Sequence, residues 1–252
     1  MQDLDIFSLQ WGLALAAVMV AGYVRAVAGF GFALVLGPML LLLLGPRDVV
    51  VTNLLLGFFG NLSVLRYARR VIEPRRIWPM ALGAVAGLPI GIFIITTLSE
   101  STLRVLIGAV VVCFAIPLLL GYGRQFQRER LTAGLAGLLS GALTGSTSLG
   151  GPPVVMFMHN QKWPQESIHG NLALYFMFLG TCTLVGLLAA GIIKSSTVIT
   201  ALTWLPGMLL STWLGLLTFR HVNARLFRWL SLLVVIGSGI AGILTGLGII
   251  PA

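Results

Sequence analysis

The chain is short of charge. Asp, Glu, Lys and Arg together make up 9% of its 252 residues, against roughly 25% in soluble domains. Hydrophobic residues make up 58%, and the mean hydropathy is +1.00. A soluble protein of this length could not cover its surface with so few polar groups. A soluble enzyme, a nucleic-acid-binding domain and a disordered chain are therefore excluded. Acids are scarcer than bases, 7 against 16, for a net charge of +9. In a membrane chain such an excess reports cytoplasmic loops rather than a nucleic-acid partner. The two cysteines, Cys113 and Cys182, each lie inside an apolar run. Neither has a metal-ligand spacing, and both read as small buried packing residues. The chain lacks Gly-x-x-x-x-Gly-Lys-Ser/Thr, so it carries no ATP site of its own. It also lacks His-Glu-x-x-His, paired in-span aspartates and a serine with a basic partner, the kits an intramembrane enzyme would need. Neither cofactor nor metal is called for.

What is present is apolar sequence and glycine, 31 residues of it. The expectation is an all-α polytopic membrane protein, one transmembrane domain over 1–252. A helix needs about 20 residues to cross the hydrocarbon. The apolar segments are 9–28, 32–44, 49–65, 77–98, 103–121, 131–146, 149–159, 168–193, 197–218 and 226–249. The first follows Asp3 and Asp5 with no Lys or Arg before it, unlike a cleaved signal peptide, and reads as retained. Segments 32–44 and 149–159 are too short for ordinary spans, and each adjoins a glycine-rich break. Arginines crowd three loops: Arg66, Arg69, Arg70, Arg75 and Arg76; Arg124, Arg128 and Arg130; and Arg220, Arg225 and Arg228. The positive-inside rule makes these loops cytoplasmic and puts both termini outside, on the periplasmic side of an inner membrane. Full crossings and re-entrant hairpins at 9–44 and 131–159 give the same parity.

The halves resemble each other, as 9–121 and 131–249. Gly29-Phe30-Gly31 and Gly37-Pro38 precede Asn53; Gly145-Ser146-Thr147-Ser148 and Gly151-Pro152 precede Asn171. Leu88-Pro89 answers Leu205-Pro206, and Arg104 answers Arg228. Five segments per half is an odd number, so the halves face opposite ways. That is the inverted-topology repeat of many secondary transporters, whose interrupted segments mark the binding site. Here the broken or re-entrant helices are 29–38 and 145–153, expected to meet near the membrane centre. Lipid cannot satisfy irregular backbone, so such breaks belong in protein or along a wet cavity. A helix that restarts after a break offers N–H groups and partial positive charge to an anion. Ser146, Thr147 and Ser148 add hydroxyls. The competing reading is that the glycines serve only close helix packing.

The motifs at these breaks are Val24-Arg25, Gly29-Phe30-Gly31-Phe32-Ala33-Leu34 and Gly37-Pro38-Met39-Leu40, then Gly150-Gly151-Pro152-Pro153-Val154-Val155, Trp163-Pro164 and Asn171-Leu172. In them the chain resembles the sulfite exporter TauE/SafE family, also called the toluenesulfonate uptake permease family. The resemblance covers nearly the whole chain. It implies an inner-membrane carrier for small sulfur-containing anions such as sulfite, sulfonates or sulfoacetate. The family pattern would put an Arg where His169 stands.

Arg25 is the central candidate. An arginine in a span usually faces a cavity or a partner, and no carboxylate lies inside any predicted span. The anion is then its natural partner; snorkelling to the interface is the alternative. The remaining candidate substrate contacts are Gly29, Phe30, Gly31, Asn53, Ser146, Thr147, Ser148, Gly150, Gly151 and Asn171. His159 and His169 flank Lys162 and are candidates for proton linkage. The leading reading is a secondary carrier working by alternating access. A passive anion channel and a non-transporting assembly subunit are the alternatives, and a homo-oligomer is compatible with each. The charge pattern is testable alone. In a cysteine-free background, Arg70→Cys and Gln127→Cys should resist a membrane-impermeant thiol reagent in intact cells; labelling of either from outside would overturn the orientation.

Overall fold

The computed structural model describes residues 8–28, 31–68, 72–120, 127–218, 236–237 and 239–249. Among these residues all regular structure is helical: α1 (Leu9–Ala28), α2 (Phe32–Leu41), α3 (Pro46–Ala68), α4 (Pro74–Thr97), α5 (Glu100–Leu120), α6 (Glu129–Thr147), α7 (Gly151–Asn160), α8 (Gln165–Ala189) and α9 (Ser195–Thr218). Residues 239–246 are helical as well. Among the described residues five stretches are long and apolar enough to cross a membrane: Leu9–Val27, Pro46–Leu65, Pro74–Thr97, Ser167–Ala189 and Ser195–Thr218. The chain is an all-α, multi-pass membrane protein. The two short segments are short helices of 10 residues each, α2 and α7, about 15 Å long and half the hydrocarbon thickness. Of the segment expected at 226–249, residues 226–235 and 238 lie outside the described residues.

The chain divides into two compact units. The first holds α1, α2, α3 up to Leu56, α5 up to Ala115, α9 and residues 239–249; the second holds the rest of α3, α4, α6, α7 and α8. In the second unit α4 and α6 pack backbone against backbone. Gly83, Gly87 and Gly91 line one helix face at four-residue spacing, and Gly137, Gly141 and Gly145 line the other. A Cβ at Gly87 would run into the Leu138 carbonyl, and one at Gly141 into the Ala84 carbonyl. Lipid tails are as apolar as leucine, so helices gain little by hiding hydrophobic surface from them. Close van der Waals contact through small residues is what joins them.

The first unit repeats the device with α1 and α9. Gly22 faces Met208, Ser211 and Thr212, while Gly215 faces Tyr23 and Ala26. Each half's fourth helix thus packs on the other half's first. The break-flanking boundaries agree in spacing: Ala28, Phe32, Leu41 and Pro46 are followed by Thr147, Gly151, Asn160 and Gln165 at one constant interval. That interval pairs Gly31 with Gly150, rather than Gly29 with Gly145 as the glycine pattern suggested. It pairs Arg25 with Thr144.

The cysteines depart from expectation. Cys113 is exposed and Cys182 half-buried, since both helices turn these positions away from their packed stripes. Tight packing predicts a sharp contrast between two glycines. Gly141→Ala should destabilise the purified protein by about 1–3 kcal/mol, the usual range for overpacking. Gly12→Ala, where a Cβ meets nothing within 4 Å, should leave thermal unfolding unchanged or raise its midpoint. Equal behaviour of the two variants would contradict the backbone contact.

Candidate functional site

The first break lies in the first unit. α1 ends at Ala28; Gly29 and Phe30 lie outside the described residues. Gly31 then takes φ 93 at the N-cap of α2, a left-handed backbone that glycine adopts at little cost. The turn lets α2 restart with its first N–H groups lacking intrahelical acceptors. Arg25 stands in the last turn of α1 and is 8% exposed. At this exposure the side chain is enclosed by protein. Its guanidinium carbon lies 6.0 Å from the centroid of the Phe32 ring, the first residue of α2, at the outer reach of a cation–π contact. The structure therefore brings Arg25 and the start of α2 together. Asn53 is buried on α3 beside the buried Thr52.

The far end of α2 holds a residue the sequence reading undervalued. The Arg104 guanidinium donates to the carbonyls of Leu41 and Leu44. It satisfies orphan carbonyls at the C-terminus of a short helix, where positive charge is also favoured. The signal available was a lone arginine close behind the start of an apolar run.

The second break lies in the second unit. α6 ends at Thr147, Ser148 caps it with φ 61, and α7 starts at Gly151. Gly150 must be glycine, because a Cβ there would strike the Thr144 hydroxyl and the Ser140 carbonyl. Ser140 Oγ donates to the Gly150 carbonyl at 2.6 Å and so ties the break to α6. The hydroxyls are largely committed to nearby backbone. Thr144 donates to Ser140 O, Ser146 to Ala142 O, Thr147 to Leu143 O and Ser148 to Thr147 O. Thr147 Oγ1 also accepts from the Leu149 N–H at 3.3 Å. Pro152 and Pro153 follow Gly151 and have no N–H, which removes two donors from the α7 N-terminus. The second break is thus a poorer donor than its glycines suggested. Tyr175, fully buried on α8, sets its hydroxyl beside Ser140. Ser140, Thr144, Thr147 and Ser148 recur at helical spacing, the pattern that would have exposed this polar stripe.

Asn171 has a different place. Its Nδ2 donates to Ser167 Oγ at 2.8 Å, and its Oδ1 accepts the Glu73 N–H at 2.8 Å. Ser167 Oγ in turn donates to Glu73 Oε1 at 3.2 Å. The amide holds the start of α4 against α8. His159, exposed in the last turn of α7, and half-buried His169 on α8 are within electrostatic reach of each other.

The match to known proteins is consistent over this framework. The family model for the sulfite exporter TauE/SafE matches residues 14–242, and the chain belongs to that family. It is 27% identical over 212 residues to a probable sulfite/organosulfonate exporter TauE of Cupriavidus necator, covering 81% of this chain and 82% of that protein. It is 30% identical over 118 residues to a probable membrane transporter protein, ORF9, of a Sinorhizobium species, covering 46% of this chain and 44% of that one. No solved structure matches it. The protein is a membrane transporter by family; the two relatives are named as an exporter and a membrane transporter, neither as an enzyme.

The described carboxylates stand where helices begin. Asp48 is in the first turn of α3, Glu73 caps α4, and Glu100 and Glu129 open α5 and α6. Negative charge is favoured there by the helix dipole. Asp48, 8% exposed, accepts from Thr197 Oγ1 at 2.6 Å and lies 3.6 Å from Lys194 Nζ. It ties the start of α3 to the start of α9, a structural duty. Asp48→Asn should therefore lower stability by about 1–3 kcal/mol while each folded molecule still transports. Complete loss of transport in a folded Asp48→Asn protein would show instead that this carboxylate takes part in translocation.

Proposed function

We propose that this member of the sulfite exporter TauE/SafE family is a secondary carrier of a small sulfur-containing anion, of the sulfite, sulfonate or sulfoacetate class. The observation that carries the reading is Arg25, a buried cation beside the restarting end of α2. The guanidinium presents a planar donor fork that grips two oxyanion oxygens at once. The first N–H groups of α2 favour the same negative charge. The name of the Cupriavidus relative points to the same ligand chemistry. Two repeats, 9–121 and 131–249, would alternate access to the site, and the constant helix interval and exchanged fourth helices support that reading. The arginine-rich loops favour an inner-membrane protein with both termini periplasmic.

A bland role competes for Arg25: positive charge near the C-terminus of α1 complements its dipole. Lysine would fill that role equally well but lacks the fork. In liposomes, the parent should show saturable uptake and counterflow of at least one of sulfite, thiosulfate, sulfoacetate or taurine. Arg25→Lys should weaken substrate affinity at least tenfold with folding intact, and Arg25→Ala should abolish binding. Flux that neither saturates nor exchanges would indicate a channel. Parental affinity in Arg25→Ala would remove the electrostatic basis of the site.

A further inference from the structure

The second unit carries a cleft of about 710 Å³ where α4 and α6 begin, lined by none of the break residues 29–31 and 148–150. Arg75, Arg76 and Arg130 line it with Glu73, Glu129 and Phe157. The charge is placed against local preference. Arg75 and Arg76 occupy the first turn of α4, and Arg130 follows Glu129 at the start of α6. First turns favour acids, because orphan N–H groups already make that end positive. Two helix starts and three guanidinium groups therefore concentrate positive potential in one concavity.

The three arginines are not equivalent. Arg76 is fixed in place: it lies 3.3 Å from Glu129 Oε1 and 3.8 Å from Glu73 Oε2, and its guanidinium carbon stacks 4.2 Å from the centroid of Trp163. Both glutamates are thereby engaged with it. Trp163, 5% exposed, keeps its Nε1–H donor without a partner among the described residues. Arg75 and Arg130 are exposed and make no ion pair among the described residues. Three arginines against two glutamates leave the cleft with one net positive charge, presented by the exposed Arg75 and Arg130. Its remaining wall is apolar, with Phe157 and Pro79 prominent.

We propose that this cleft binds a singly charged oxyanion carried on a small apolar group. Arg75 and Arg130 would take the oxyanion, Arg76 would stiffen the rim, and the apolar wall would receive the carbon substituent. A soluble aryl or alkyl sulfonate has this chemistry, and so does an anionic phospholipid headgroup with the first carbons of its chains. Arg25 is not among the residues that line it, and the proposal does not depend on the carrier reading.

Binding of benzenesulfonate to the full chain in phosphatidylcholine nanodiscs tests the site, in an Arg25→Ala background so that Arg25 contributes nothing. The added pair R75A/R130A should weaken binding at least tenfold, and R75K/R130K should recover most of it. Inorganic sulfite should bind at least tenfold more weakly than benzenesulfonate, since it has nothing for the apolar wall. Without ligand, R75A/R130A should unfold at the same temperature or higher, because two cations leave helix N-termini. Adding phosphatidylglycerol to the nanodiscs separates the sources. Competition with benzenesulfonate that R75A/R130A abolishes assigns lipid headgroups to the site too; lack of competition assigns soluble anions alone. Either result, with the loss in R75A/R130A, supports the site. No binding of benzenesulfonate or phosphatidylglycerol to the parent cleft, or equal binding in R75A/R130A, would overturn it.

Discussion

The contact between helix backbones governs the rest of this structure. In water a helix pair is held by apolar area withdrawn from solvent; in lipid that term nearly vanishes. What remains is dispersion, weak per atom pair and steeply dependent on distance. The glycines of α4 and α6 let the two main chains approach until a Cβ from either would strike the other's carbonyls. Consequences follow along the whole length of α6. Its first turn is brought beside that of α4, which assembles the arginine-lined cleft. Its far end is the hydroxyl-bearing break, fixed in position because the helix that carries it cannot shift.

The same solution recurs between α1 and α9, and the agreement is in detail. Gly22 meets the Met208 carbonyl as Gly141 meets the Ala84 carbonyl, and Gly215 meets the Tyr23 carbonyl as Gly91 meets the Ala142 carbonyl. Two unrelated helix pairs would have no reason to share such a register. The proposed repeats account for it, with the fourth helix of each exchanged onto the first helix of the other. Arg25 and Thr144 then occupy corresponding places on α1 and α6, one turn before their breaks. In the proposed repeat the halves would share a scaffold and differ in the chemistry set upon it.

Much of this was legible in the sequence because hydropathy reports lipid directly. The runs at 32–44 and 149–159 became α2, Phe32–Leu41, and α7, Gly151–Asn160. Helix starts were read too late, at 77 and 103 where α4 begins at Pro74 and α5 at Glu100. Charged first turns belong to the helix while looking like loop to a hydropathy scale. Tertiary partners were not legible. Asn171 reaches the backbone of Glu73, and Arg104 the carbonyls of Leu41 and Leu44; the lone arginine marks a position but names no partner, and nothing local announces the asparagine's. The hydroxyls of α6 looked like anion donors by composition. A helix interior offers a serine or threonine the carbonyl one turn back, and that nearer acceptor won. The effect of Pro152 and Pro153 was readable at once, since proline has no N–H wherever it is placed.

The unequal breaks bear on why a carrier would keep one fixed charge rather than two. Gly31 opens a helix start with its N–H groups intact, and Arg25 stands beside it. The opposite start has two prolines and hydroxyls turned to their own backbone. In the proposed carrier, one guanidinium and one monoanion make a loaded site with no net charge. A neutral loaded site is far less costly within a low-dielectric membrane than a charged one. A second arginine at Thr144 would bind a monoanion more tightly, yet leave the loaded site positive and harder to move. The proposed repeat would offer a place for that second charge at position 144, and threonine occupies it.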